Sequence, residues 1–145
     1  MADNQKIITS LNKILEMELA GVVRYTHYSL MVYGYGRIPI ISWLRGQANE
    51  SLDHANKAGE LITNLGGHPS LAIGPLLETN THDIGNILRE SLDHEKASLD
   101  CYKDLLKLVG DSSIMLEEYA REMIYTEELH MGEVDKMLRS PGDVE

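Results

Sequence analysis

The chain has 145 residues and a formal charge of -10, with 43% hydrophobic residues, only 6% aromatic and no phenylalanine. That length suits a single domain, 1–145, with an aliphatic core, and an acidic balance without clustered basic patches makes nucleic acid a poor partner. Cys101 is the single cysteine, which excludes an intrachain disulfide framework; the polar start lacks secretory signal blocks and no apolar run reaches the ~18 residues of a membrane span, so a cytoplasmic location is expected.

The first periodic segment starts near Asp3 or Asn4 and places Ile7, Ile8, Leu11, Leu15, Glu18, Leu19, Val22, Tyr25 and Ser29 at intervals of three or four. It predicts a helix over about 4–33. The stretch Y-G-Y-G-R-I-P then allows a reversal and restarts a helix with Pro39 in its first turn. A second stripe of Ile41, Leu44, Ala48, Ser51, Ala55, Ala58, Ile62 and Leu65 predicts a helix over about 38–65, stopped by Gly66 and Gly67.

Residues 66–82 carry Gly66, Gly67, Pro69, Gly74 and Pro75 and read as a loop too long for a hairpin turn. Thr81 or Asp83 can cap a third helix, about 82–109, with Ile84, Leu88, Leu92, Glu95, Leu99, Tyr102 and Leu106 on one stripe. After the turn Gly110-Asp111-Ser112-Ser113 comes a fourth, about 113–139, with Leu116, Tyr119 or Ala120, Met123, Glu127, His130, Val134 and Met137. The tail S-P-G-D-V-E ends it. The predicted plan is all-α: two helix hairpins joined by one long crossover between helices two and three, rather than an up-down-up-down bundle.

Ionisable residues interrupt these apolar stripes in a repeated pattern. Glu18 and His54 lie 36 residues apart, Glu95 and His130 lie 35 apart, and the two glutamates are separated by 77. Such pseudo-twofold placement would gather two carboxylates and two imidazoles around one point, a costly burial unless metal ions offset the charge. Glu127 joins His130 in E-E-L-H, three residues apart, so the two side chains lie about 60° apart around the helix and can face one metal pair. The first half has no such companion: Ser51 holds the regular position before His54, while Glu50 reaches the same face from about a turn lower. A neutral hydroxyl is a weak iron ligand, but it can orient water.

Several of these pieces, L-N-K-I-L-E-M-E-L, E-S-L-D-H-A, G-G-H-P-S-L and E-E-L-H, resemble the bacterioferritin family over roughly residues 5–138. The resemblance implies a ferritin-like four-helix bundle, Fe(II) oxidation at an intrasubunit di-iron centre with oxygen or peroxide, and iron storage or detoxification. It implies the ligands Glu18, His54, Glu95, Glu127 and His130, with Glu50 as candidate replacement for the carboxylate missing at Ser51, and Tyr25 near the metals. It also implies a homo-oligomer, a cage or a dimer. Leu52 stands where the family has its haem-binding methionine, so haem is not expected, and the family's short fifth helix has no counterpart in the tail.

The donor set itself favours iron, since carboxylate with imidazole suits Fe(II) and Fe(III) and no cysteine is placed for zinc or an iron-sulfur cluster. Two other readings stand beside storage: a di-iron oxidase acting on an organic substrate, and a structural or regulatory bundle whose metal site is incomplete at Ser51. Glu127 with His130 could be a hydrogen-bonded structural pair, and Tyr25 an ordinary buried hydroxyl. His94 and His27 are candidates for a supporting role, His68 and His82 read as solvated loop residues, and Met115, Met123, Met131 and Met137 as packing.

Overall fold

The computed structural model describes residues 3–142, and four helices account for most of them: α1 Asn4–Met31, α2 Arg37–Asn64, α3 Ile84–Val109 and α4 Ile114–Leu138. Asp143, Val144 and Glu145 of the tail lie outside the described residues. Three of the four starts carry a side-chain cap. Asp3 accepts from the amides of Gln5 and Lys6, Asp83 from Asn86, and Ser113 from Leu116, each satisfying donors that the first turn leaves without a helical partner. The caps explain why α3 and α4 begin two and one residues later than the periodicity suggests: Asp83 and Ser113 are extended and stand outside the helix. α1 ends at Met31 rather than near residue 33 because Val32 turns extended and Gly34 takes φ +114, in the left-handed region that glycine tolerates.

The crossover, residues 65–83, runs back along α1 and is tied to it rung by rung. Asn12 donates to the carbonyl of His68 and accepts from the amide of Ser70. The amide of Gly74 donates to the carbonyl of Glu16, Arg24 donates twice to that of Pro75, and His27 lies 3.4 Å from Glu78. At the far end Nδ1 of His82 sits 2.9 Å from the carbonyl of Met31, and its ring stacks on Tyr33 at 3.9 Å. His82 therefore fastens the crossover instead of standing free in solvent. This return path delivers α3 antiparallel to α1, and α1 packs against both α2 and α3 while α4 packs on α3.

Two apolar blocks divide the interior. One holds Ile7, Leu11, Ile14, Ala58, Ile62, Leu105, Val109, Leu116 and Met123; the other holds Tyr28, Val32, Leu44, Ala48 and Ile87. Between them lies a polar slice in which Glu18, Ser51, His54, His94, Glu95 and Glu127 are all buried. Among the described residues no helix is long and apolar enough to cross a membrane.

Candidate metal centre

Each helix contributes to the slice from near its middle, where backbone fraying is least and a side chain's position is fixed by packing on both sides. Glu18 comes from α1, His54 from α2, Glu95 from α3, and Glu127 with His130 from α4. The first half is compact: Nδ1 of His54 is 2.8 Å from Oε2 of Glu18 and 3.8 Å from Oε1 of Glu127. Ligand atoms of Glu18, His54 and Glu127 all fall within 4.8 Å of one another, an arrangement able to hold a metal ion. In the second half, Nε2 of His130 is 3.8 Å from Oε1 of Glu95, and the Tyr25 hydroxyl lies between them, donating to Glu95 and 3.2 Å from His130.

Electrostatics divides the carboxylates. Burial drives Glu127 up to about 12, helped by the neighbouring Glu95 and Glu18, so without a cation it stays protonated. Glu95 goes the other way: burial alone would raise it, but its contacts with Glu127, His130 and Tyr25 outweigh that and hold it below the usual range. Burial also raises Glu18, only partly countered by His54; for His54 burial works downward, yet hydrogen bonding and charge from Glu18 raise it overall. Oε2 of Glu127 is buried without a hydrogen-bond partner among the described residues. Such a set of buried acids and imidazoles fits divalent cations, which would take the place of the protons and meet the unpartnered oxygen.

Ser51 and Glu50 occupy different places. Ser51 is buried and points at α1, where a Cβ on Gly21 would come 2.7 Å from its Oγ. Glu50 is half-exposed, with Oε1 3.7 Å from Nε2 of His54, the ring nitrogen turned away from Glu18. Together with Gln47 and Ser51 it lines a narrow cleft that leads to His54, Glu95, Glu127 and His130 and has a volume of only about 10 Å³. Leu52 lies half-exposed on the outside of α2.

Two contacts were not anticipated from the sequence. The Tyr102 hydroxyl, buried on α3, donates to Oε2 of Glu18 at 3.0 Å. Trp43 lies parallel to and offset from the ring of His130, 5.6 Å between centroids and 3° between planes, and so flanks that ligand candidate. His94 proves deeply buried, and burial lowers its proton affinity; its Nε2 approaches Gly21, and Nδ1 has no partner among the described residues. It adjoins the first half without joining the three-residue group.

Residues 8–141 match the family described as Ferritin-like domain, and the chain belongs to that family. It is 29% identical over 125 residues to a bacterioferritin from Desulfovibrio desulfuricans, a match spanning 85% of this chain and 68% of the relative. Among solved structures, a ferritin-like diiron-carboxylate protein from Bacillus anthracis superposes with a TM-score of 0.87 at 23% identity, covering 96% of this chain and all of that one. Rhodobacter capsulatus bacterioferritin, solved with a metal-free dinuclear site and haem iron, gives 0.86 at 23% identity, covering 95% and 86%. At these identities the two structures establish the four-helix fold.

Proposed function

We propose that this protein binds two iron ions per chain in the polar slice and oxidises Fe(II) to Fe(III) with dioxygen or peroxide, serving iron storage or detoxification. The observation that carries the reading is the buried group of Glu18, His54 and Glu127, whose third member keeps an unpartnered oxygen and a displaceable proton. Glu18, His54 and Glu127 would hold one ion, and Glu95 with His130 the second, with Glu127 placed to face both. Iron is here the substrate as well as the occupant, and a bound pair supplies the electrons that reduce the oxidant.

The residues of the chain do the rest. Glu127 would give up its proton as a cation enters, while His54 turns Nδ1 toward Glu18 and Nε2 toward Glu50 on the cleft side. A second ion held by Glu95 and His130 would meet the Tyr25 hydroxyl, which lies against both. Trp43 flanks the ring of His130, and the apolar blocks on either side keep bulk water from the slice. A cleft volume of about 10 Å³ is far below the ~300–1,000 Å³ typical of sites for organic ligands, which favours a small inorganic oxidant over an organic substrate.

Haem is not invoked, because Leu52 offers no lone pair to iron. Self-association is part of the proposal: Leu52 on α2 and Leu71, Ile73, Leu76 and Leu77 on the crossover are exposed aliphatic side chains that a second copy of the chain would cover. A second reading, one tightly held metal and no turnover, has one observation in its favour: Ser51 lines the same cleft as His54, Glu95, Glu127 and His130 and supplies no carboxylate to it.

The two readings part under Fe(II) titration without oxygen followed by exposure to oxygen. Two equivalents bound and then oxidised support the proposal; one equivalent without oxidation supports the alternative. Changing Glu127→Ala together with His130→Ala should lower metal affinity by more than the ~100-fold typical of losing an outer partner and abolish oxidation. Unchanged binding and oxidation in that double variant would sink the site assignment.

A further inference from the structure

The Glu18 and Glu95 repeat extends to a second pair of residues. Tyr25 follows Glu18 by seven residues, Tyr102 follows Glu95 by seven, and the tyrosines, like the glutamates, are 77 apart. The hydrogen bonds cross between helices: Tyr25 of α1 donates to Glu95 of α3, and Tyr102 of α3 donates to Glu18 of α1. Geometry makes the exchange a natural one. Side chains on a helix lean toward its N-terminus, so on two antiparallel helices each tyrosine, about 10.5 Å beyond its own glutamate, leans back toward the midplane and meets the other helix's carboxylate.

We propose that Tyr102 is a positioning residue for Glu18, the twofold counterpart of Tyr25 on Glu95, and that its hydroxyl sets how tightly the Glu18, His54 and Glu127 group holds a cation. This rests on the reading of Glu18 as a metal ligand. Tyr102 is 1% exposed, and burying a hydroxyl costs stability unless it is used; here its use is the carboxylate. Its ring is held edge-on by Tyr119, with 6.1 Å between centroids and 69° between planes, so the donor approaches Glu18 from one fixed direction. With Oε2 of Glu18 shared between Tyr102 at 3.0 Å and His54 at 2.8 Å, the carboxylate has little rotational freedom before any cation arrives. The exchange is not fully symmetric. Tyr25 reaches both Glu95 and His130, whereas among the described residues the Tyr102 hydroxyl bonds to Glu18 and not to His54.

The test places 3-fluorotyrosine at position 102, and separately at 25, in the otherwise unaltered metal-free protein and follows the fluorine resonance. Glu18→Gln should move the signal from 102 and spare that from 25, while Glu95→Gln should do the reverse. A signal at 102 that ignores Glu18→Gln, or answers both changes alike, overturns the proposal. Cobalt(II) titration supplies the second arm: Tyr102→Phe should weaken one of two equivalents about tenfold and spare the other, and Tyr25→Phe should alter only the one that Tyr102→Phe spares. Equal affinities in wild type and Tyr102→Phe refute the positioning role alone, whereas a wild-type protein that takes up no cobalt(II) refutes the metal reading and this proposal with it.

Discussion

The two halves of the polar slice use the same residue types and differ in readiness. Around Glu18, His54 stands at 2.8 Å, Glu127 is close enough to share a cation, and Tyr102 braces the carboxylate from behind. Around Glu95 the tyrosine is in front: Tyr25 lies against Glu95 and His130 both, and the imidazole is 3.8 Å from the carboxylate. One half brings three ligating side chains within 4.8 Å of one another, and in the other a tyrosine hydroxyl lies against both the carboxylate and the imidazole. Near-identical chain spacing thus gives pseudo-symmetric helices without equivalent sites, because where a side chain points depends on its neighbours as well as its register.

The largest effect on this difference should come from Ser51→Glu, which adds a carboxylate to the cleft that His54, Glu95, Glu127 and His130 line. Calorimetric titration with cobalt(II) should show the weaker equivalent tightening by about tenfold or more. No gain in affinity would mean that Ser51 is not what makes the halves unequal. The same change should lower the melting temperature of the metal-free protein, since one more buried acid must be accommodated.

A smaller effect concerns the protons that stand in for metal. A carboxyl whose value is higher in the folded than in the unfolded state contributes stability fully below the unfolded value, near 4.5, and loses it as pH rises toward the folded one. Glu127, raised to about 12, is such a group, and Glu18 and His54 are raised as well, so the metal-free protein should lose stability from pH 7 to 9. Glu95 and His94 shift downward and so complete their titration below that window. Glu127→Gln removes one such contribution, at most about 1.4 kcal/mol per pH unit. Chemical denaturation across the window should give a shallower slope for the variant, and equal slopes would show that Glu127 is not protonated in the metal-free state.

The smallest is Gly21→Ala. At an exposed helical position this change stabilises by about 1 kcal/mol, but here the added Cβ would lie 2.7 Å from Ser51 Oγ and 3.3 Å from His94 Nε2. Overpacking of this kind should reverse the sign and cost about 1–3 kcal/mol in thermal unfolding. A stabilised variant would show that the slice has room to relax.

Much of this molecule is readable from its residues, and the exceptions have physical causes. The four helices and the crossover follow from apolar stripes broken by Gly34, Gly36, Gly66 and Gly67. Their ends were less legible, since a cap such as Asp83 or Ser113 counts as helix by pattern and as extended by geometry. Glu18, Glu95 and Glu127 stand out because an acid on an apolar stripe needs a reason. Tyr102 does not, because a tyrosine there reads as ordinary core; only its distance from Glu95, the same as that of Tyr25 from Glu18, carried the signal. His94 reads from the sequence as a supporting candidate beside Glu95, but its depth does not show there: it lies about 100° around α3 from Glu95, and a helix buried on two sides can hide both.

The central claim is that two unequal half-sites together form one iron centre, and anomalous-scattering crystallography after anaerobic Fe(II) loading at rising stoichiometry tests it most directly. The first iron peak should appear among Glu18, His54 and Glu127, and a second beside Glu95 and His130. A single peak at saturation, peaks of equal occupancy from the first equivalent, or iron bound only outside the slice would contradict it.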